Sequence, residues 1–448
     1  MNDELTEALK GTLKTAARQA PAPAPDLLHQ VHGRHRRRRR AQAGMAAAAV
    51  LVTLGGSGAL TSVLGSAEDP ARPAAQSKPG PLKAVTVGKP VPVERLWPQA
   101  VRPLPERLPG GRAYRAITLL DDDTLLVTTE SSFEKTDQIL TYDLRTRRTT
   151  QITRTPVPSG SDLFPSGFSV GDGRIAWWVR YKQGGRHTVE IWAAPLSGGD
   201  AYRVAATQHD LSEDASVRRL TIGGGKVYWS MAGRNTSSQG VYESQGVYEA
   251  PVSGGGTARQ VPGTTGFQVL AWPWIGGPGL TGPMDAERAK PGEVFHRTLR
   301  DLRNGRTTKA GLATIKGSWN CGITWCVAHK SLPKQWSGGH GPVPETYLQR
   351  RDGTGGRMFR MLGGRRHLMQ RLDGFLAYDR FLPYMAEPAG GSVQWLLYDT
   401  QTGDVASVAV PQDGGGYSAI GLFRDPAERI VEVDSVNGRL LIDLAKVS

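Results

Sequence analysis

The chain has 448 residues and a formal net charge of +14, with 55 Lys and Arg against 41 Asp and Glu. All 32 aromatic residues lie at or beyond Trp97, so the first ninety-odd residues lack the side chains around which a packed core is usually built. The first 44 residues hold nine Lys and Arg against four Asp and Glu, and the rest of the excess is spread thinly with no basic-aromatic interleaving, which argues against nucleic acid as a partner.

In chain order, Leu5, Leu9 and Leu13 fall at i, i+4, i+8 behind an acidic first turn and predict a short amphipathic helix. The run Pro21 to Pro25 breaks it, and Asp26 is placed to cap a second helix through Leu27, Leu28 and Val31. Arg36, Arg37, Arg38, Arg39 and Arg40 follow, and then Ala41 to Gly65 pass without a charge. Twenty-five uncharged residues match the roughly 30 Å of a bilayer core at about 1.5 Å per residue. The arginines stay on the cytoplasmic side, and Glu68 and Asp69 follow on the far side. The expectation is a cytoplasmic tail over 1–40, a transmembrane helix over 41–65, a Pro/Ala-rich linker over 66–84 and an extracytoplasmic domain over 85–448. A signal peptide cut after Ala67 competes, because Gly65-Ser66-Ala67 has the small-x-small form, but a leader of about 40 residues is long for one. A buried or peripheral Ala-rich helix is the third reading.

Beyond the linker one pattern recurs: an apolar-alternating strand, a turn and a second strand. It runs "QILTYDLRTRRTTQIT", "VEIWAAPLSGGDAYRV", "GVYEAPVSGGGTARQV", "VFHRTLRDLRNGRTTKA", "TYLQRRDGTGGRMFRM", "WLLYDTQTGDVASVAV" and a shortened "GRLLIDLAKV". The pre-turn positions are Asp143, Pro195, Pro251, Asp301, Asp352, Asp399 and Asp443, 44 to 56 residues apart. A further strand opened by its own turn precedes most copies, and with one less regular strand the unit has four. Four-stranded units around an axis predict an all-β, seven-bladed β-propeller. The last unit has room for three strands after Gly414, so a strand within Val85 to Trp97 is expected to complete it and close the ring. The copy "GDGRIAWWVRYKQGGRHTVEIWAAPLSGGD" resembles TolB-type propeller repeats. That resemblance covers Arg112 to Ser448 and implies a binding scaffold, with no catalytic residue to transfer.

Few residues suggest chemistry. Cys321 and Cys326, the only cysteines, would stand about 16 Å apart in one continuous strand. A turn between them permits a disulfide, favoured outside the cytoplasm, while a reduced core pair is the alternative. "GFSVG" at 167–171 has the G-x-S-x-G form with Ser169 as nucleophile, but a turn and a strand follow where that chemistry needs a helix, so it reads as coincidence. His187, His209, His296, His329, His340 and His367 are scattered over different units, and no metal or cofactor is expected. Asp121 to Asp123 read as an acidic hairpin turn rather than a calcium site. Arg350, Arg351, Arg357, Arg360, Arg365, Arg366 and Arg371 are opposed only by Asp352 and Asp373. They read either as an anionic-ligand patch, for lipid headgroups or wall polymers, centred on Arg350, Arg351, Arg365 and Arg366, or as a solvated blade face.

Three functions fit these features: a membrane-anchored propeller that binds a protein or envelope polymer without chemistry; a transmembrane regulator whose tail contacts a cytosolic, sigma-factor-like partner, as in anti-sigma layouts, though the tail is short for their helical domain; and an envelope hydrolase or lyase working at the propeller axis.

Overall fold

The computed structural model describes residues 79–132, 135–158, 161–183, 186–209, 216–234, 242–279, 292–330, 345–360, 375–386, 394–409, 428–435 and 438–448. The tail, Arg36 to Arg40, the apolar run and Ala67 lie outside them, as do His340, His367, Arg365 and Arg366. Among the described residues no helix is long and apolar enough to cross a membrane.

The described strands form a β-propeller. Sheet 1 comprises Tyr114–Leu119, Thr124–Ser132, Lys135–Asp143 and Thr149–Arg154, and sheet 2 comprises Ser161–Gly171, Arg174–Gln183, Arg186–Pro195 and Tyr202–His209. Sheet 3 holds Ser216–Gly223, Lys226–Arg234, Tyr242–Pro251 and Arg259–Gln260; sheet 4 holds Gln268–Ala271, Trp274–Gly277, Thr298–Asp301 and Thr307–Lys309. Sheet 5 holds Gly317–Cys321, Trp325–Lys330, Thr346–Arg350 and Arg357–Arg360, and sheet 6 holds Phe381–Ala386, Gln394–Asp399 and Val405–Ala409. Sheet 7 holds Ile430–Ser435 and Gly438–Asp443. Within the sheets these successive strands pair antiparallel.

The expected count of seven blades needs correcting. Among the described residues six sheets carry four strands or more and make full blades, and the last sheet has three. The sixth reaches four, and the seventh three, by borrowing strands from the N-terminal segment.

That segment also differs from expectation. The closing strand is Val101–Leu104, paired antiparallel with Gly438–Asp443, and not a strand within Val85 to Trp97. Residues 83–92 instead add parallel strands to the outer edges of two other sheets, Lys83–Thr86 on sheet 5 and Val91–Pro92 on sheet 6. Pro90 and Pro92 interrupt any longer strand, since proline lacks the ladder donor. Val93, Trp97 and Ala100 are then drawn into the apolar cluster of sheets 6 and 7, where the Trp97 ring meets Phe381 edge-on at 5.4 Å. Burial of a tryptophan, worth about 2–3 kcal/mol or more on area grounds, outweighs the few edge hydrogen bonds forgone.

The core is a set of clusters wedged between neighbouring sheets. Sheets 1 and 2 share Leu126, Ile139, Ile175 and Trp177; sheets 2 and 3 share Ile191, Val204, Leu220 and Trp229. The sequence closes on itself where Leu104, Ile430 and Leu441 pack with Tyr114, Leu125 and Val127. There the Ala116 N–H of sheet 1 donates to Glu432 Oε2 of sheet 7 at 3.3 Å, and Arg439, ion-paired with Glu432, donates to the Tyr114 carbonyl.

The repeat itself has a chemical basis. Each pre-turn aspartate accepts a hydrogen bond from the N–H two residues on: Asp143 from Arg145 (2.9 Å), Asp301 from Arg303 (2.8 Å), Asp352 from Thr354 (2.8 Å), Asp399 from Gln401 (2.9 Å) and Asp443 from Ala445 (3.2 Å). A short carboxylate folds back onto its own chain and sets the hairpin turn after Asp143, Asp301, Asp352 and Asp399, while at Asp443 it caps the short helical turn Leu444–Lys446.

Candidate functional site

Charged groups with displaced titration gather around the disulfide of sheet 5. Cys321 and Cys326 stand opposite each other on adjacent antiparallel strands, with Cα atoms 3.9 Å apart, and are bonded. The expected disulfide is present, and both residues are fully buried. It clips the turn Gly322 to Trp325, where the Gly322 N–H donates to the Trp325 carbonyl at 2.7 Å.

Two ionisable side chains grip that turn from outside. Arg351 Nε donates to the Gly322 carbonyl at 2.6 Å, Nη1 to Arg297 O at 3.1 Å and Nη2 to His296 O at 2.6 Å. Burial lowers this guanidinium to about 9, with Asp379 acting the other way. Asp379 accepts the Thr324 N–H on both carboxylate oxygens at 3.1 Å. Its enclosure pushes it up to about 6, against the Thr324 hydrogen bonds and the nearby Arg351 and Arg350.

His296 lies on the other side of Arg351, in the left-handed region at φ 53°, on the segment that runs beside the first strand of sheet 5. Its Nδ1 is 2.8 Å from Asn320 Oδ1 and its Nε2 is 3.3 Å from Gln268 Oε1. Burial holds the ring down to about 3; the Asn320 hydrogen bond opposes this, and Arg351 and Arg219 add to it. A neutral ring carries one N–H, which Asn320 Oδ1 is placed to accept from Nδ1. Phe375 covers the ring edge-on at 5.1 Å, and the Arg219 guanidinium lies over the Phe375 ring, 4.7 Å from its centroid.

Chemically this cluster is a lock. The guanidinium is occupied by carbonyls, the carboxylate by an amide and the imidazole by two amide side chains. The group that sequence reasoning missed is His296 with its amide partners, because Gln268, Asn320 and His296 come from two different sheets and the segment between them.

The other candidates resolve as follows. Arg351, expected on an anionic-ligand patch, is buried and binds carbonyls, so it leaves that patch. Arg350 remains on the surface, its guanidinium 5.7 Å from the Trp325 ring, with Arg357 at 5.6 Å on the same ring. Ser169 is buried within Ser161–Gly171, and its two glycines have packing reasons: a Cβ on Gly167 would stand 2.4 Å from the Trp178 indole, and one on Gly171 would stand 2.6 Å from the Ile222 carbonyl of the next sheet. Asp121 accepts its own turn's N–H groups, Asp122 pairs with Lys446 (3.0 Å) and Asp123 with Arg102 (2.8 Å), so this acidic turn stitches the two chain ends of the domain to sheet 1. Among the described residues no group of three or more His, Cys, Asp or Glu is placed to hold a metal ion. His187 and His209 are register partners in sheet 2.

The fold and this surface define a β-propeller of four-stranded units with a disulfide-clipped wall. No protein-family model and no curated protein sequence matches the chain. Solved structures similar to it include an oligogalacturonate lyase in complex with manganese, 12% identical over 72% of this chain and 86% of that one, with a TM-score of 0.42. Also similar are the β-propeller domain of the Trilobed protease from Pyrococcus furiosus (12%, 70% and 85%, TM-score 0.36) and TolB from Acinetobacter baumannii (13%, 52% and 50%, TM-score 0.26). TolB thus stands among the similar structures, as the repeat resemblance leads one to expect, and the chain covers half of that TolB. Likeness at this level assigns no activity, and the propeller rests on the chain's own sheets.

Proposed function

We propose that this protein displays its β-propeller outside the cytoplasmic membrane as a binding scaffold, held by a single span over 41–65 with Arg36 to Arg40 on the cytoplasmic side. The observation that carries the reading is the buried Cys321–Cys326 disulfide within a propeller wall, since stable disulfides belong to oxidising compartments. It agrees with the arginine block and the uncharged run of the sequence. Binding is favoured over catalysis because Arg351, Asp379 and His296 are all engaged in holding backbone or amide groups. The partner is a protein or an envelope polymer, and the short tail serves first to fix topology.

Cell fractionation with tags at both ends, combined with protease protection, tests the proposal. The expected result is one membrane-bound chain whose C-terminal tag is digested from outside. Two fragments with the C-terminal one released, or a C-terminal tag protected in intact cells, would overturn the anchor or the topology respectively.

A further inference from the structure

The chain joins the propeller beside one turn. The Gly80 N–H donates to the Gly353 carbonyl at 3.0 Å, Lys83 N–H to Gly356 O at 3.0 Å and Gln349 Nε2 to Gly80 O at 3.4 Å. Residues 80–83 are thereby pinned against the Asp352–Thr354 turn of sheet 5.

From there Lys83–Thr86 runs parallel to Arg357–Arg360, in a register that sets Lys83 beside Arg357. Arg357 is opposite Leu348, and Arg350, two residues along the same strand, is opposite Trp325. Register partners share a face, as do residues two apart, so Lys83, Arg357, Arg350 and Trp325 all belong to one face of sheet 5. Trp325 holds both guanidinium groups over its ring, and Arg357 Nη1 donates to Tyr398 Oη at 2.9 Å. Two acidic side chains act on Arg350 here: Asp352, 4.0 Å away, whose Oδ1 already accepts the Thr354 N–H and hydroxyl, and the enclosed Asp379, which holds the Thr324 N–H. Lys83 is exposed, and the Arg350 side chain is 43% exposed.

We infer that this corner is a docking surface for the anionic lipid leaflet beside which the chain emerges. The inference rests on the proposed anchor over 41–65. The thirteen residues 66–78 span at most about 45 Å however they are arranged, so an anchored chain keeps the corner near the bilayer. Basic side chains next to an anionic leaflet gain about fivefold each in partitioning, and the gain dies within a Debye length of about 8–10 Å. Because Trp325 and Tyr398 already fix the arginine, little side-chain freedom is lost on contact. In an up-and-down sheet the turn joining strands one and two lies at the same end as the turn joining three and four. Docking through the Asp352 turn therefore points the opposite end of every sheet away from the membrane, toward a partner.

The test reconstitutes the full chain into phosphatidylcholine vesicles with and without phosphatidylglycerol and follows hydrogen exchange in residues 79–86 and 346–360. Slower exchange is expected only with phosphatidylglycerol, and it should be lost in high salt. The double variant Lys83→Glu with Arg350→Glu leaves Arg357 in place and should weaken the protected state by about 25-fold or more. Unchanged exchange in residues 161–209 shows that the variant is folded. Chains that float with neutral vesicles yet show no lipid-charge dependence would sink the docking surface alone. Chains that do not float with neutral vesicles would remove the anchor and this inference with it. Protection by soluble poly(glycerol phosphate) without any by lipid would overturn the inference in favour of a wall polymer.

Discussion

Arg380 grips the fully buried carboxylate of Asp399 in a two-bond fork, Nε to Oδ1 at 2.8 Å and Nη2 to Oδ2 at 2.5 Å, and its remaining Nη1 donates to the Val447 carbonyl at 2.7 Å. One guanidinium thus ties a repeat turn of sheet 6 to the end of the domain. The next sheet repeats the device, with Arg429 Nε and Nη2 on Asp443 at 2.8 and 2.7 Å. Removing one partner of a buried pair leaves the other charge without compensation, at a cost of about 3–5 kcal/mol. Arg380→Ala should therefore lower the urea midpoint substantially. Arg380→Met combined with Asp399→Leu should recover part of the loss, and equal losses in the single and double variants would contradict this account.

Arg350 and Arg351 are adjacent in sequence and opposite in role. Arg351→Met leaves buried carbonyls of Gly322, Arg297 and His296 without their donor and should cost about 3 kcal/mol or more. Arg350→Ser alters an exposed side chain and should stay within about 1 kcal/mol. Chemical denaturation of the two variants side by side measures the contrast.

The disulfide closes a loop so short that its entropic contribution is about 2 kcal/mol. Its larger effect concerns access. Both sulfurs are buried, so reduction by a small thiol under native conditions should be slow and should follow the rate of opening of sheet 5. Mass spectrometry after timed thiol exposure and alkylation reads this out; rapid reduction at low denaturant would contradict it.

Two groups of opposite behaviour shape the pH dependence. Burial lowers His296 to about 3, below its unfolded value near 6.5, so the unfolded chain takes up the proton first. Stability should fall as pH drops through that window, by up to about 1.4 kcal/mol per unit. Asp379 is raised to about 6 from 3.8, so the folded state holds its proton longer. Its contribution is present below about pH 4 and is lost as pH rises to 6, on the order of 1–2 kcal/mol after allowing for partial exposure. Asp379→Asn should retain an acceptor for Thr324 and remove the second effect, while His296→Asn, which tolerates the left-handed backbone, should flatten the first. Urea midpoints across pH 4 to 7 distinguish the two.

Ring closure depends on a strand of only four residues. A chain lacking residues 79–104 leaves the edge at Leu441 and Ile442 uncovered and removes Trp97 from between sheets 6 and 7. Such a chain should associate, while Asp123→Asn, which breaks one exposed pair with Arg102, should remain monomeric if the full chain is. Size-exclusion chromatography in detergent compares all three.

Strand alternation, the even spacing of Asp143, Pro195, Pro251, Asp301, Asp352, Asp399 and Asp443, and the glycine-bearing turns together made the propeller legible in the sequence, because strand and turn are local properties of each hairpin and the hairpin recurs. The disulfide was legible for the same reason, since five residues and a turn decide whether two sulfurs meet. Which segment closes the last sheet was decided by tertiary packing: Trp97 finds its cavity between sheets 6 and 7, and the strand at Val101 follows from that. Only the folded chain could separate Arg350 from Arg351, or bring Asn320, Gln268 and Arg351 around His296. Side-chain burial and convergence across sheets depend on distances between residues far apart in the chain, and no local pattern encodes those distances.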